Sequence, residues 1–196
     1  MKKWQIIVVV LIVIAVILGG SYAGIRNNMV RKKEQVNSAW SQVDVVIQRR
    51  ADLIPNLVAT VKGYAAHEEA VFGAVTRARE DLLAARTPAD RIRANGQLDA
   101  ALGRLLAVVE NYPQLKANEN FLELQNELEG TENRIAVERR RYNQAVQDYN
   151  TYIGLFPNNL VASLSGFTRD NDYFKASPGA QQPPKVEFPG APAMKN

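Results

Sequence analysis

His67 is the only histidine in the chain, and Glu68 and Glu69 follow it. A zinc-protease helix needs a second histidine four residues on, so that both imidazoles share one helical face. Val71 stands there instead, and His67 reads as a surface residue at a helix end. Glu123, Glu127, Glu129 and Glu132 are close enough in sequence to suggest an acidic metal site. They fall in the first turns of a helix, where dipole and solvent favour carboxylates without any metal. Arg77, Arg79, Arg86, Arg91 and Arg93 could grip phosphates, but Glu80, Asp81 and Asp90 interrupt them and no aromatic stacking partner is interleaved. Nucleic acid is therefore not expected as a partner. The chain has no Gly-rich phosphate loop, nucleophile elbow or dinucleotide fingerprint, so neither an enzymatic activity nor a cofactor is expected.

The aromatic residues form a different kind of pattern. Trp40, with Val43 beside it, and Tyr142, Tyr149 and Tyr152 stand at helical spacing and make an apolar stripe. The ordinary reading of such a stripe is core; the other is an interaction surface, and the choice depends on what covers it. Tyr142, Tyr149 and Tyr152 belong to a seam over 121–156: Phe121, Leu124, Leu128, Thr131, Ile135, Glu138, Tyr142, Ala145, Tyr149, Tyr152 and Phe156. Its spacing alternates three and four, as in a helix packed lengthwise on others. Pro157 stops it, because proline cannot supply the next helical N–H. Met29, Val36, Trp40, Val43, Ile47, Arg50, Ile54, Leu57, Val61 and Tyr64 repeat the rhythm in a first long helix, with Pro55 inside it as an expected kink. A second helix carries Val71, Val75, Ala78, Leu82 and Ala85, and a third carries Leu98, Leu102, Leu105, Val109 and Tyr112. Thr87-Pro88-Ala89-Asp90 reads as the start of the third, and Asn120 to Glu123 as the start of the long helix. The fold class is all-α: an N-terminal transmembrane helix, then an antiparallel four-helix bundle with two long and two shorter helices.

The remaining bounds come from composition. At 196 residues with no cysteine, the chain can bury a core but makes no disulfide, Fe–S cluster, thiol nucleophile or lipidated cysteine. Its net charge of +4 suits an anionic membrane surface as well as nucleic acid. From Trp4 to Ile25 there is no charge, with a continuous apolar run over 6–18 and aromatic Trp4 and Tyr22 near the two ends. About 20 such residues span a bilayer. A cleaved signal peptide is the alternative, with Gly19-Gly20-Ser21-Tyr22-Ala23 as its small-residue site. The expected domains are an anchor over 1–26, a helical domain over 27–168 and a Pro/Gly-rich disordered tail over 169–196.

Several blocks carry a family resemblance. They are Gln48-Arg49-Arg50-Ala51-Asp52-Leu53-Ile54-Pro55-Asn56-Leu57-Val58, Tyr112-Pro113-Gln114-Leu115-Lys116-Ala117-Asn118, Glu132-Asn133-Arg134-Ile135, Arg141-Tyr142-Asn143 and Phe156-Pro157. Together they make the chain resemble the bacterial LemA family over roughly residues 30–167. The resemblance implies an N-terminally anchored antiparallel helical bundle with no established enzymatic activity, and one relative is associated with magnetosome membranes. Many relatives carry a lipoprotein cysteine that this chain lacks, which leaves the apolar span as the anchor. Those relatives place the bundle outside the cytoplasm, whereas the excess of Arg26, Arg31, Lys32 and Lys33 over Lys2 and Lys3 favours the reverse. The expectation is a single-pass protein of the inner membrane with its helical domain on the periplasmic or extracellular side.

Lengths sharpen the functional expectation. The two long helices reach about 55 Å, the shorter ones only about 28 and 37 Å. The short pair can cover only the end far from the membrane, leaving a two-helix stalk near it with apolar residues showing. The expectations that follow are a homo-oligomer formed through Trp40, Val43, Tyr142, Tyr149 and Tyr152 and acting as a scaffold, or an adaptor for another membrane protein such as a protease or transporter. Membrane lipid is the other expected partner. Phe156, Leu160 and Phe167, with Leu155, Val161 and Leu164, would form an apolar foot level with Arg31, Lys32 and Lys33. Finally, Arg50 lies midway between Val36 and Tyr64 and Glu138 almost midway between Phe121 and Phe156, so aligning the two helices at those centres predicts an Arg50–Glu138 ion pair.

Overall fold

The apolar segment and the first seam form one uninterrupted helix. In the computed structural model, which describes residues 3–175, α1 runs Lys3–Lys62, about 90 Å of helix. It is followed by α2 (Glu69–Ala84), α3 (Pro88–Val109), the single turn α4 (Pro113–Lys116), α5 (Glu119–Gly154) and α6 (Asn158–Ser165). The described residues are all-helical, with no strand. Of the disordered tail expected over 169–196, residues 176–196 lie outside the described residues.

α1 and α5 pack lengthwise, and α2 and α3 form a hairpin laid on the far part of α1. The capping is local chemistry. Thr87 Oγ1 accepts the N–H of Asp90 at 3.1 Å and opens α3, as its Thr-Pro-Ala-Asp start requires. The start of α5 falls two residues earlier than expected. Asn118, not Asn120, is the cap, and its Oδ1 accepts from Phe121 N–H at 3.0 Å.

Pro55 does not end α1, which continues through it to Lys62. Proline lacks the N–H that would bond the carbonyl four residues back, so the buried Ala51 carbonyl loses its helical donor. Arg79 of α2 supplies one from outside: its Nε donates to Ala51 O at 2.8 Å. The proline in α1 and the arginine in α2 thus form one unit across the interface.

The register of α1 against α5 is fixed by pairs along the full contact. Asn118 Nδ2 donates to Tyr64 Oη, Arg50 meets Glu132, Trp40 meets Tyr142 edge-on, and Lys33 lies over the Tyr149 ring. In all four pairs the two residue numbers have the same sum, so neither helix slips against the other. Glu138 is consequently about one and a half turns away from Arg50 along α5. The expected Arg50–Glu138 pair is not formed. Glu138 bonds Arg141 on its own helix at 2.8 Å, while Arg50 pairs with Glu132 at 2.7 Å and with Asp99 of α3. Centre alignment failed because the seam ends were misplaced: Met29, outside the Val36–Tyr64 span whose midpoint was used, is fully buried, while Tyr64 and Phe156 are exposed. With Met29–Val61 and Phe121–Ile153 as the seams, the same rule lands on Glu132.

Candidate functional site

The half of the α1–α5 pair nearer the apolar segment is not an open stalk. Val36, Val43, Ile47, Tyr142, Val146 and Tyr149 are all buried, and Trp40 is half-buried. Trp40, Tyr142 and Tyr149 are covered by the chain's own segment after α6. Gly166 ends that helix at φ 74°, a left-handed turn that suits glycine, and Phe167 N–H bonds back to Ala162 O at 3.0 Å. Residues 167–174 then run back up the groove as an irregular strap. The domain boundary expected at 168 therefore falls inside a packed segment: residues 169–174 belong with the core, not with a free tail.

Two asparagines one heptad apart on α5 hold the strap by its backbone. Asn150 Nδ2 donates to Asp170 O at 2.6 Å and its Oδ1 accepts Asp170 N–H at 2.9 Å. Asn143 does the same with Phe174, Nδ2 to O at 2.9 Å and N–H to Oδ1 at 3.0 Å. Each side-chain amide pairs with both backbone groups of one residue, as a neighbouring strand would. Tyr149 Oη donates to Thr168 O at 2.9 Å between them. Lys33 adds an ion pair to Asp170 at 2.8 Å.

The far end of the strap is an aromatic knot. Phe174 stacks on Trp40 with centroids 6.2 Å apart and meets Tyr142 edge-on at 5.9 Å, and the Arg139 guanidinium lies 5.0 Å from its centroid. Such contacts add to simple burial. Burial pushes the Tyr142 phenol well above its usual pKa, and the carboxylates of Asp170 and Asp172 push it further. Burial also raises Tyr149, with Lys33 opposing and Asp170 reinforcing.

Of the residues expected to interact, then, Trp40, Val43, Tyr142 and Tyr149 are committed inside the chain. Tyr152 is half-buried beneath Lys32, whose Nζ lies 5.7 Å from its centroid. Sequence reasoning missed Asn143, Asn150 and Phe174. The heptad spacing of the asparagines was the available signal.

The foot is displaced from its expected level. With Lys32 over Tyr152, Phe156 lies a turn nearer the apolar segment than Lys32. α6 packs on α1 and α5 through buried Val161 and Ala162, and Ser165 Oγ is 2.9 Å from Tyr22 Oη at the end of the apolar segment. Phe167 is half-buried against the core and does not belong to the foot's open face. Leu155, Phe156, Leu160 and Leu164 are the apolar residues left exposed there. His67 is exposed, and among the described residues no group of three or more His, Cys, Asp or Glu is placed to hold a metal ion.

The family model for the LemA family matches residues 39–188. This chain belongs to the LemA family. The match takes in the strap as well as the helices, and it begins beyond the apolar segment. Magnetosome protein MamQ 2 of Paramagnetospirillum magneticum is 31% identical over 183 residues, covering 80% of this chain and 67% of the relative. MamQ of Magnetospirillum gryphiswaldense is 27% identical over the same shares. Protein LemA of Metamycoplasma hominis is 26% identical over 144 residues, 72% of this chain and 65% of its own length. Family membership and the apolar first part of α1, long enough to cross a membrane, describe a membrane-associated helical protein.

Proposed function

We propose that this LemA family member is a non-enzymatic scaffold, anchored by one span in the bacterial inner membrane with its helical domain on the periplasmic side. α1, α5, α2 and α3 are read as an antiparallel four-helix bundle of two long and two shorter helices, and copies of it associate with one another. The observation that carries this reading is the continuity of α1. The same helix that holds the apolar segment forms one side of the core up to Val61, so the bundle cannot swivel freely on its anchor. A rod fixed to its span suits spacing and organising other molecules at a membrane, and the relatives named as magnetosome proteins are consistent with such work.

The stalk no longer supplies the self-association surface, because the strap occupies it. The open candidate is the face of α1 bearing Gly20 and Gly24, where an added Cβ would meet nothing within 4 Å. Small residues four apart let two helix backbones approach closely in a membrane. This face lies opposite Tyr22 and hence opposite α6. Sedimentation of the full chain in mild detergent tests the reading. Concentration-dependent assemblies support it; a monomer at every concentration rejects it.

A second reading, an adaptor for another membrane protein, is favoured by one feature. Tyr64, Asn111, Tyr112, Pro113 and Gln114 line an open notch at the tip farthest from the span. A membrane protein co-purifying in fixed ratio, and lost on Tyr64→Asp, would favour the adaptor over the scaffold.

A further inference from the structure

α6 shows two faces of opposite character. Val161 and Ala162 are buried against α1 and α5, while Phe156 is 80% and Leu164 79% exposed, with Leu155 and Leu160 more than half exposed beside them. Four large apolar side chains exposed together, two on α6 and two in the corner that precedes it, are costly in water. Their position names the occupant. Counting from Trp4 to Tyr22 gives about 27 Å of helix, close to the roughly 30 Å of a bilayer's hydrocarbon. Tyr22 therefore marks the lipid boundary, and α6 is hydrogen-bonded to Tyr22 through Ser165. The exposed face of α6 is thus continuous with the surface of α1 that meets lipid. Arg26, one turn beyond Tyr22 on the same face of α1, and Arg169 are exposed at the level where head-group phosphates would lie.

We infer that α6 and the Leu155–Phe156 corner form an interfacial foot, seated among the head groups and upper acyl chains of the bilayer that α1 crosses. The occupant of this face is lipid, not a second protein. The inference rests on reading the apolar segment as a membrane span. Two attachments on one side of a rigid rod define its rotation as well as its depth, which a lone helix cannot do.

The chain has no native cysteine, so a single introduced one can carry an environment-sensitive fluorophore. The full chain is reconstituted in phosphatidylcholine vesicles with a quarter phosphatidylglycerol, as three variants: Leu164→Cys, Val13→Cys in the span, and Leu122→Cys on exposed α5 far from it. Quenchers sit either just below the head group or deep in the acyl chain. The expected result is a blue-shifted label at 164 quenched several-fold better by the shallow quencher. The label at 13 should respond to the deep quencher, and the one at 122 to neither. A label at 164 that is water-like while position 13 is deep overturns the foot and leaves the span intact. A water-like label at 13 overturns both. A blue-shifted label at 164 that no lipid quencher reaches also overturns the foot, because a protein then covers that face.

Discussion

The far and near halves of the α1–α5 pair present similar apolar seams, yet they are covered by different means. Far from the apolar segment, the α2–α3 hairpin lays helix against helix and buries Val75, Leu82, Leu98 and Leu105. Near the apolar segment, eight residues without regular structure do the covering, tied by Asn143, Asn150 and Tyr149 and by the ring of Phe174. A helix satisfies its own backbone and needs only an apolar face. A strap cannot satisfy its own, so the surface beneath must offer donors and acceptors at the right intervals. The near half of α5 is accordingly richer in polar groups that point inward, and its stability is concentrated in a few contacts.

That contrast predicts the largest effect in the near half. Tyr142 is 1% exposed and touches both Trp40 and Phe174. Truncation by Tyr142→Ala should cost about 3–5 kcal/mol by denaturant unfolding. Loss of the knot should also free the strap, so amide exchange at 168–174 should speed up while α2 and α3 keep their protection. Equal acceleration in α2 and α3 would mean that the two halves are a single cooperative unit and the contrast carries no energetic weight.

How much of this was legible follows the same divide. Helices of the far half announce themselves by apolar spacing, and Thr87-Pro88 marks a start that the structure reproduces to the residue. The α5 seam was correct at Phe121, Leu128, Ile135, Tyr142 and Tyr149, but Val146, Asn150 and Ile153 were hidden. In the observed register Val146 and Ile153 lie opposite the buried Val36 and Met29 of α1, while Asn150 turns inward to bond the strap. Nothing periodic marks a strap. Its polar sequence, Thr168 to Asp172, reads as solvent-facing loop until its hydrogen-bonding partners on another element are known. The apolar foot was visible as a cluster, yet its level on α1 depended on register, which in turn depended on knowing that Met29 is inside and Phe156 is not.

At the border between the halves, Arg50 tests that register. Its side chain is nearly enclosed and lies between Glu132 of α5 and Asp99 of α3; Asp99 also accepts from Asn95 at 3.1 Å and faces Arg139 at 3.6 Å. The carboxylates are partly open to water, so removing the cation lets them rehydrate and moderates the loss. Arg50→Met should cost roughly 2–3 kcal/mol. In double-mutant cycles, Arg50→Met should couple to Glu132→Leu by about 1 kcal/mol and be additive with Glu138→Leu. Coupling to Glu138 instead would mean that the helices sit in the register expected from centred seams, and the near-half contacts would then have to be redrawn.

The smallest effect belongs to the far half, where one unit resembles the near half's logic. Pro55 leaves the Ala51 carbonyl without a helical donor, and Arg79 bonds it from α2. Arg79→Met keeps much of the apolar stem but removes the donor, so a buried carbonyl is left unpaired at a cost of about 1–2 kcal/mol. The diagnostic is what happens when the cause of the orphan is removed. Pro55→Ala restores an N–H four residues after Ala51, which can close the α1 ladder from within. In that background Arg79→Met should lose markedly less stability than in the native chain. If the penalty is unchanged, Arg79 acts through its packing or its charge, and its bond to Ala51 contributes little. If the penalty falls, the far half too relies on a cross-element donor wherever a helix cannot supply its own, and the two halves differ only in how often that need arises.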